Sequence, residues 1–434
     1  MWKKIAPVVI ALTIAVGFIC LASWDLKKPY YGAIGDEYVF YYQAKNILAG
    51  SRPSPLSQAG VFGYHPVLDS YYQALGMALF GANIIGWKIS GVFLASLTLF
   101  LFYFWVKSIF GSRSAFFATF SFALSHYLLA LVHTGYNNIH ALFPLVLTLF
   151  LAAKAKKEKK LFYFFLAGAA SGLSFYTFYS ARITPVILAL YYLCDIKPKK
   201  GAYVATLAGF LVLFVPFLLT NGTQVVIQML YQTYGRTASL TVEPLWLFVA
   251  INLRISFLGF FFTSPYVHHY VSGTLVDFIT SLFFFAGLFL LFKKNQNLAS
   301  FFFSGLFTTI LITGGMFHEH TLAITRLFVT LPFIFALSGY ALNELSTRLK
   351  HVTWLAFLFP CLMLALVGLA NLQRFYMTTP SLQSKNREVR MLEAIMNGKA
   401  YTDKKTQEEI SRLLQTTYLL PAVFDAYKIK WKDQ

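Results

Sequence analysis

Charged residues are scarce in this chain of 434 residues, since Asp, Glu, Lys and Arg make up 12% of it and hydrophobic residues 57%. An average soluble domain carries roughly 25% charged residues. A soluble fold of this length has too little polar surface to cover so many apolar side chains. The scarcity of charge therefore excludes a soluble protein and predicts a polytopic membrane protein.

Cysteine is also rare: Cys20, Cys194 and Cys361 are scattered along the chain and lie inside hydrophobic runs. Such placement excludes a disulfide framework and a cysteine metal cluster. The sequence also lacks a nucleotide-binding loop, a low-complexity tract and a soluble-type repeat. The sequence therefore gives no sign of a soluble catalytic domain.

Acidic residues are outnumbered, with 17 Asp and Glu against 36 Lys and Arg and a net charge of +19. A basic balance can indicate a nucleic-acid partner. Here the cations cluster in short loops between hydrophobic runs, for example at 154–160 and 197–200. Cytoplasmic anchors of membrane proteins show this pattern. We therefore expect membrane lipids, and no nucleic acid, as partners.

Apolar stretches long enough to cross a bilayer predict about eleven transmembrane helices. The basic clusters all fall on one side if these spans alternate, which predicts an all-α protein with its N-terminus inside and its C-terminus outside. Most acidic residues before the tail then lie on the outer side. The predicted spans are approximately 5–23, 84–106, 114–133, 139–153, 161–179, 183–195, 201–220, 275–292, 298–314, 327–344 and 353–370.

Three regions outside these spans complete the domain organisation. Residues 24–82 form a first outer loop and residues 221–272 a second outer region within a membrane domain of residues 1–370. Residues 371–434 are predicted to form a small outer cap of helices, with helical patterns around 388–396 and 406–414. In the first loop, spacings of three and four predict a helix on the membrane surface, with its apolar face formed by Leu68, Tyr71, Tyr72, Leu75, Leu79 and Phe80.

Asp36 and Glu37 form an acidic pair just after the first predicted span. Adjacent residues on a helix point about 100° apart, so one can face a cavity while the other meets the backbone or a cation. A carboxylate in a cavity can take a proton from a hydroxyl that attacks a sugar carbon, or it can bridge to a divalent cation. The alternative is an exposed interfacial pair without a chemical role.

Further candidates lie on the same predicted face. His65 and Asp69 begin the surface helix, where Asp69 has a purely structural explanation in the helix dipole. Tyr176 and Tyr179 are either site residues or members of an interfacial aromatic belt. Two cations there run against the positive-inside trend: Arg182 and Arg326. Their planar donors suit a phosphate, although snorkelling to lipid headgroups is the competing interpretation.

In order along the chain, these segments resemble the GT-C class of membrane glycosyltransferases. The resemblance is to the branch that contains protein O-mannosyltransferases and the lipid A aminoarabinose transferase. It covers roughly residues 1–345 and is carried by the acidic motif at 35–38, His65-Pro66, Leu79-Phe80-Gly81, residues 168–182, and Arg326 with Pro332.

The resemblance implies an inverting transfer of a sugar from a polyprenyl-phosphate donor on the outer face of the cell membrane. Asp36 is then the candidate base, and Arg182 and Arg326 are candidate contacts of the donor phosphate. Glu37, His65, Asp69, Tyr176 and Tyr179 complete the expected substrate-binding set. The acceptor is a protein, a lipid or a glycan.

The sequence also departs from that branch. Val67 follows Pro66 where a second proline is usual, and His65 stands where lysine is frequent. The first outer loop has no Asp-x-Asp triplet and the chain no Trp-Trp-Asp motif. The two missing motifs argue against an oligosaccharyltransferase and weaken the requirement for a metal. No cofactor is required, although a divalent cation is compatible with the acidic pair.

Two other functions remain open at this point. A transporter or flippase of a lipid-linked or anionic substrate is the main alternative, but transporters place ionisable groups near the bilayer midplane and often have two similar halves. Here the informative charges lie at the outer boundary, and no matching halves are visible. A non-catalytic assembly partner of an envelope enzyme is the third interpretation, with the outer loops as docking surfaces.

Overall fold

The computed structural model describes residues 2–31, 37–59, 65–230, 244–263, 270–317, 319–385, 387–396 and 420–428. Almost all of its regular structure is helical. The helices are α1 (Trp2–Ser23), α2 (Glu37–Leu48), α3 (Val67–Phe80), α4 (Ile84–Phe110), α5 (Ser112–Ala123), α6 (His126–Thr134), α7 (Leu142–Glu158), α8 (Leu161–Leu173), α9 (Thr184–Tyr191), α10 (Lys200–Leu230), α11 (Leu245–Phe261), α12 (Phe278–Lys294), α13 (Gln296–Ile310), α14 (Ile324–Leu327), α15 (Leu331–Arg348), α16 (Thr353–Gln373), α17 (Thr379–Gln383), α18 (Arg387–Met396) and α19 (Leu420–Tyr427).

Short irregular elements join these helices. Two-residue strands, β1 (Gln58–Ala59) and β2 (His65–Pro66), pair in antiparallel fashion before α3. 3₁₀ turns at Asn137–Ala141 and Tyr179–Ile183 precede α7 and α9. Both turns lie at the ends of apolar segments, where polar side chains can face one another.

Seven helical segments within the described ranges are long and apolar enough to cross a membrane. An eighth crossing forms if α5 and α6, which meet at a bend of 50°, are one broken span. The other segments predicted to span are helical but shorter: residues 161–179 begin with a short apolar helix, 183–195 contain the eight-residue α9, and α12 has 17 residues. The polytopic helical fold is confirmed, whereas the count of eleven remains a prediction.

The core lies around α15, which packs against α5 and α12, while α4 packs against α1, α5 and α7. In the 18-residue apolar stretch of the candidate span that includes α15, 89% of residues are buried, against 17% in that of the span formed by α10. An apolar helix with so little burial inside the protein suits a position facing lipid. Helix α10 therefore lies at the periphery, and α15 is central.

Close contact holds α10 against α8. A Cβ atom on Gly168 would collide with the carbonyl oxygen of Thr206, and one on Gly209 would collide with that of Phe165. Small residues allow helix backbones in membranes to approach in this way. The contact fixes the end of α8, after which the turn at Tyr179–Ile183 follows.

The predicted surface helix forms α3, and Pro66 directly precedes it. Its apolar side is open, with Leu79 69% exposed, whereas Asp69 and Gln73 point into the protein and are buried. Met77 is buried on the same side, so that side combines polar and apolar residues. The polar face of α3 therefore belongs to an internal site.

The described part of the tail packs onto the first outer loop. Buried residues of α18 and α19 share a hydrophobic cluster with residues of α2, α3 and α4, among them Tyr38 and Trp87. Helix α18 confirms the helical prediction near 388–396. The second predicted tail helix, 406–414, lies outside the described residues.

Candidate functional site

Glu37 begins α2 and is fully buried. Its position in the first turn places the carboxylate where the helix dipole favours negative charge. The hydroxyl of Tyr270 lies 3.5 Å from Oε2 of Glu37, which is at the limit of a hydrogen bond. Asp36, the predicted base, lies outside the described residues. The structure thus places the second member of the acidic pair inside the protein.

Lys88 is a site residue that the sequence reasoning missed. It lies in the second turn of α4 and is 1% exposed. Its Nζ makes no hydrogen bond to any described residue. The carboxylate of Glu37 and the imidazole of His133 both lie close enough to interact electrostatically with this ammonium. The available signal was a lysine inside an apolar helix, which is costly in a membrane.

Asp69 forms a buried pair with His140 from the 3₁₀ turn before α7. The Oδ1 atom of Asp69 lies 2.9 Å from Nδ1 of His140. Burial raises the pKa of Asp69, and the neighbouring imidazole opposes that rise. The side chain of Asn137 lies near the same carboxylate. Asp69 therefore has a partner beyond the helix dipole, and sequence reasoning missed His140.

Tyr179, Arg182 and Arg326 lie close together. The Nε atom of Arg326 donates to the hydroxyl of Tyr179, and both arginines act electrostatically on that residue. The guanidinium of Arg326 lies 4.3 Å from the ring centroid of Phe317 and 4.7 Å from that of Tyr179. Its Nη1 atom is buried and makes no hydrogen bond to a described residue. This arrangement leaves the Nη1 donor of Arg326 available to an anion.

Arg182 is held against Phe217 of α10, with 5.7 Å between the guanidinium carbon and the ring centroid. Burial lowers the pKa of Arg182 to about 9, so the group keeps its charge at neutral pH. The two arginines that sequence reasoning selected therefore converge on one tyrosine. Two half-buried arginines beside one hydroxyl favour a negatively charged ligand.

Tyr176 and His65 have less direct places. The hydroxyl of Tyr176 donates to the carbonyl of Leu213 at 2.7 Å, which joins the end of α8 to α10. His65 contributes its backbone to the short strand pair with Ala59. The side chain of His65 lies outside the described part of the structure. Tyr176 thus helps to hold α10, the helix against which Arg182 packs.

Aromatic rings connect the acidic side of the site to the arginines. Phe40 of α2 packs on Tyr136 at 5.1 Å between centroids, Tyr136 on Phe178 at 5.5 Å, and Phe178 on Tyr179 at 4.1 Å. The predicted residues therefore form two clusters joined by a row of rings. One cluster contains Glu37 with the Asp69–His140 pair nearby, and the other contains the arginines.

No group of three or more His, Cys, Asp or Glu residues that could hold a metal ion occurs within the described ranges. Glu37 follows the predicted base in the sequence, and its Oε2 atom lies 3.5 Å from the hydroxyl of Tyr270. The described donor set therefore does not form a cation site by itself.

Residues 64–219 match the family model for dolichyl-phosphate-mannose-protein mannosyltransferase. That range contains α3, Lys88, the Asp69–His140 pair and Arg182. No curated protein sequence matches the chain.

Solved structures of membrane proteins share the fold. ArnT from Cupriavidus metallidurans bound to undecaprenyl phosphate matches with a TM-score of 0.58 and 15% identity over 95% of this chain and 74% of that one. The oligosaccharyltransferase AglB from Archaeoglobus fulgidus, in complex with an inhibitory peptide and a dolichol-phosphate, matches with a TM-score of 0.57 and 16% identity over 88% of this chain and 56% of that one. The Archaeoglobus fulgidus oligosaccharyltransferase complex with Zn and sulfate matches with a TM-score of 0.55 and 17% identity over 87% of this chain and 53% of that one.

The family match and the shared fold indicate a glycosyltransferase of the GT-C type. The resemblance seen in the sequence is thereby confirmed.

Proposed function

We propose that this protein transfers a sugar from a polyprenyl-phosphate donor to an acceptor on the extracytoplasmic face of the cell membrane. The proposal includes eleven spans, with the N-terminus inside and the C-terminus outside, as the loop charges predict. Under that orientation Glu37, Asp69, Lys88, Arg182 and Arg326 all lie at outer ends of helices. A donor that remains in the membrane reaches such a site from the side.

The observation that carries the proposal is the arginine cluster. Arg326 is fixed by its bond to Tyr179 and by two aromatic rings, yet its buried Nη1 makes no hydrogen bond to a described residue. A guanidinium in this state has a donor available for a phosphate oxygen. ArnT and AglB have been solved with undecaprenyl phosphate and dolichol-phosphate, which supports a lipid phosphate as the anion.

The reaction follows from these charges. Asp36 takes the proton of an acceptor hydroxyl as its oxygen attacks the anomeric carbon. The bond from that carbon to the phosphate oxygen breaks, the configuration inverts, and the polyprenyl phosphate leaves with the electron pair. Arg326 and Arg182 stabilise the charge that develops on the leaving phosphate. Glu37 contributes to substrate binding beside the base. A divalent cation is compatible with the proposal without being required.

The test is transfer by the purified protein, supplied with labelled polyprenyl-phosphate sugars and a membrane extract. We expect label in a protein, lipid or glycan acceptor, and a fall of about 10²–10⁴-fold in Asp36→Asn, as is typical on loss of a general base. Asp25→Asn is the matched control, because Asp25 is a partly exposed acid paired with Lys28 at 2.7 Å. Full activity of Asp36→Asn would refute the assignment of the base.

Donor binding tests the arginines separately. Arg326→Gln is expected to weaken the binding of polyprenyl phosphate, because the free donor of the fork is lost. Arg348→Gln, an exposed arginine at the end of α15, is the control. Unchanged affinity in both Arg326→Gln and Arg182→Gln would remove the phosphate role. Movement of the labelled lipid across the bilayer without transfer would support a flippase instead.

A further inference from the structure

Helix α11 is apolar along most of its length, yet Asn252 stands at its middle and is fully buried. Another side of the helix is open, since Trp246 and Phe257 are exposed. Burying an amide costs free energy unless its polar atoms are hydrogen-bonded. The partners of Asn252 therefore indicate why an amide stands at this position.

Both ends of the Asn252 amide bind the segment that joins α13 to α14. Its Nδ2 donates to the carbonyl of Phe317 at 2.8 Å, and its Oδ1 lies 2.9 Å from Nδ1 of His320. Because a carbonyl oxygen can only accept, the Phe317 contact fixes which way the amide points. The imidazole of His320 then donates from Nδ1 to Oδ1.

The same face of α11 follows this segment toward α14. A Cβ atom on Gly314 would collide with Oγ of Ser256, and one on Gly259 would collide with the side chain of Leu322. Positions 252, 256 and 259 are spaced by four and three residues, so they share one face of the helix. That face is therefore packed along the chain that leads to Arg326.

Phe317 connects Asn252 to the arginine cluster. The guanidinium of Arg326 lies 4.3 Å from the ring centroid of Phe317, where a cation and an aromatic ring attract each other. The Nε atom of Arg326 donates to the hydroxyl of Tyr179. Phe317 thus provides a second restraint on the guanidinium, and the bond from Asn252 fixes the backbone from which the Phe317 ring projects.

A purely structural role for Asn252 would be to fasten α11 to the protein. The close contacts at Gly314 and Gly259 already do this without a polar group. What the amide adds is direction, because a hydrogen bond to the Phe317 carbonyl is satisfied in one orientation of the segment. Binding groups need such support, since their geometry must be held to within about 0.5 Å.

We propose that Asn252 is a positioning residue of the donor site, which holds Phe317 against Arg326 and thereby directs the guanidinium toward the donor phosphate. The inference rests on the proposed function and adds α11 to the elements that build the phosphate site. Asn252 acts through Phe317 and does not touch the substrate. The atom it helps to place is Nη1 of Arg326, which is buried and makes no hydrogen bond to a described residue.

The experiment measures the affinity for undecaprenyl phosphate in detergent. Asn252→Leu, Asn252→Asp and Phe317→Leu are each made alone and together with Arg326→Gln. We expect each substitution alone to weaken binding by about fivefold or more, and to cause no further weakening when Arg326→Gln is present. Asn252→Asp isolates the Phe317 contact, because a carboxylate keeps the acceptor for His320 and loses the donor.

Asn297→Leu is the matched control, because Asn297 is an exposed amide in the first turn of α13. It should leave the affinity unchanged with and without Arg326→Gln. The melting temperature in detergent shows which variants are folded, and Asn252→Asp keeps the size of the side chain in case Asn252→Leu does not fold. Unfolding of both variants would assign Asn252 to the fold alone and overturn the inference.

The remaining outcomes separate the inference from the proposed function. Equal weakening by the Asn252 substitutions in both backgrounds would show that they act elsewhere than on Arg326, and unchanged affinity would show no role in binding. Either result overturns the inference, while weaker binding by Arg326→Gln alone would leave the proposed function standing. Wild-type affinity in Arg326→Gln would remove the phosphate role of Arg326, and the role of Asn252 with it.

Discussion

The C-terminal helix α19 is predicted to hold the acid-bearing helix α2 in place. Phe424 is fully buried in the cluster that also contains Tyr38, the residue after Glu37. Asp425 accepts from Lys45 at 2.6 Å and from the hydroxyl of Tyr41 at 2.8 Å, both on α2. Helix α19 therefore acts as a brace for α2, the helix that begins with Glu37.

Phe424→Ala measures the strength of this brace. Truncating a buried phenylalanine costs about 3–5 kcal/mol when the surroundings cannot collapse. Helix α19 has eight residues and can detach while the membrane core stays folded, so the loss appears as local detachment. A change of that size would shift the equilibrium constant for detachment of α19 by about two to nearly four orders of magnitude, since 1.4 kcal/mol is tenfold. Transfer activity should fall as α2 loses its support.

Limited trypsin digestion in detergent provides the assay, with the rate of cleavage in the C-terminal segment as the readout. Phe424→Ala should be cut much faster than the wild type, with little change in the melting temperature of the core. Phe357→Ala is the control, since Phe357 is 72% exposed on α16. Unchanged cleavage and unchanged transfer in Phe424→Ala would refute the brace.

Low pH is expected to weaken the contact between α19 and α2. Burial raises the pKa of Asp425, but hydrogen bonds from Lys45 and Tyr41 outweigh it and hold that pKa below its usual range. The stabilisation is therefore fully present above the ordinary carboxylate pKa of about 3.9 and is lost as the pH falls through the lower folded value. Trypsin is inactive at acid pH, so the measurement is the rate of pepsin cleavage in the C-terminal segment between about pH 5 and 2. Asp425→Asn should remove this pH dependence, and an identical profile in that variant would contradict the explanation.

Two further substitutions test how the core supports the site. Asn371→Leu removes the amide that donates to the buried carboxylate of Asp277 at 2.8 Å, and we expect a loss of about 2–4 kcal/mol, visible as a lower melting temperature in detergent; an unchanged melting temperature would contradict that role. Gly168→Leu should push α8 from α10 and displace the turn that carries Arg182, so polyprenyl-phosphate affinity should fall, whereas Gly17→Leu, where no atom lies within 4 Å of an added Cβ, should leave it unchanged.

Periodicity and charge placement were sufficient for much of the architecture. The hydrophobic runs predicted helical segments that the structure contains, and the spacing from Leu68 to Phe80 predicted α3. Span count was harder, because segments such as 183–195 are apolar in composition yet contain an eight-residue α-helix that continues as a π-helical turn, Tyr192–Ile196. Hydropathy measures composition along the chain, while crossing depends on unbroken helical length.

The candidate site could be predicted from the sequence only in part. Arg182 and Arg326 were identifiable because each cation contradicts the positive-inside trend, and the structure brings both to Tyr179. Lys88 and His140 were missed because each is a single polar residue near the end of an apolar run. Their significance depends on partners on other elements, the carboxylate of Glu37 for one and that of Asp69 for the other.

The position of Lys88 also argues against a role in packing alone. A lysine near the end of a membrane helix ordinarily extends its ammonium to the interface, which removes most of the cost of burial. Lys88 does not do so: it is 1% exposed, and its Nζ makes no hydrogen bond to a described residue. Glu37 offsets part of the electrostatic cost without supplying hydrogen bonds to the ammonium. A packed apolar side chain would be cheaper at this point of α4, so packing alone does not explain why a lysine stands there.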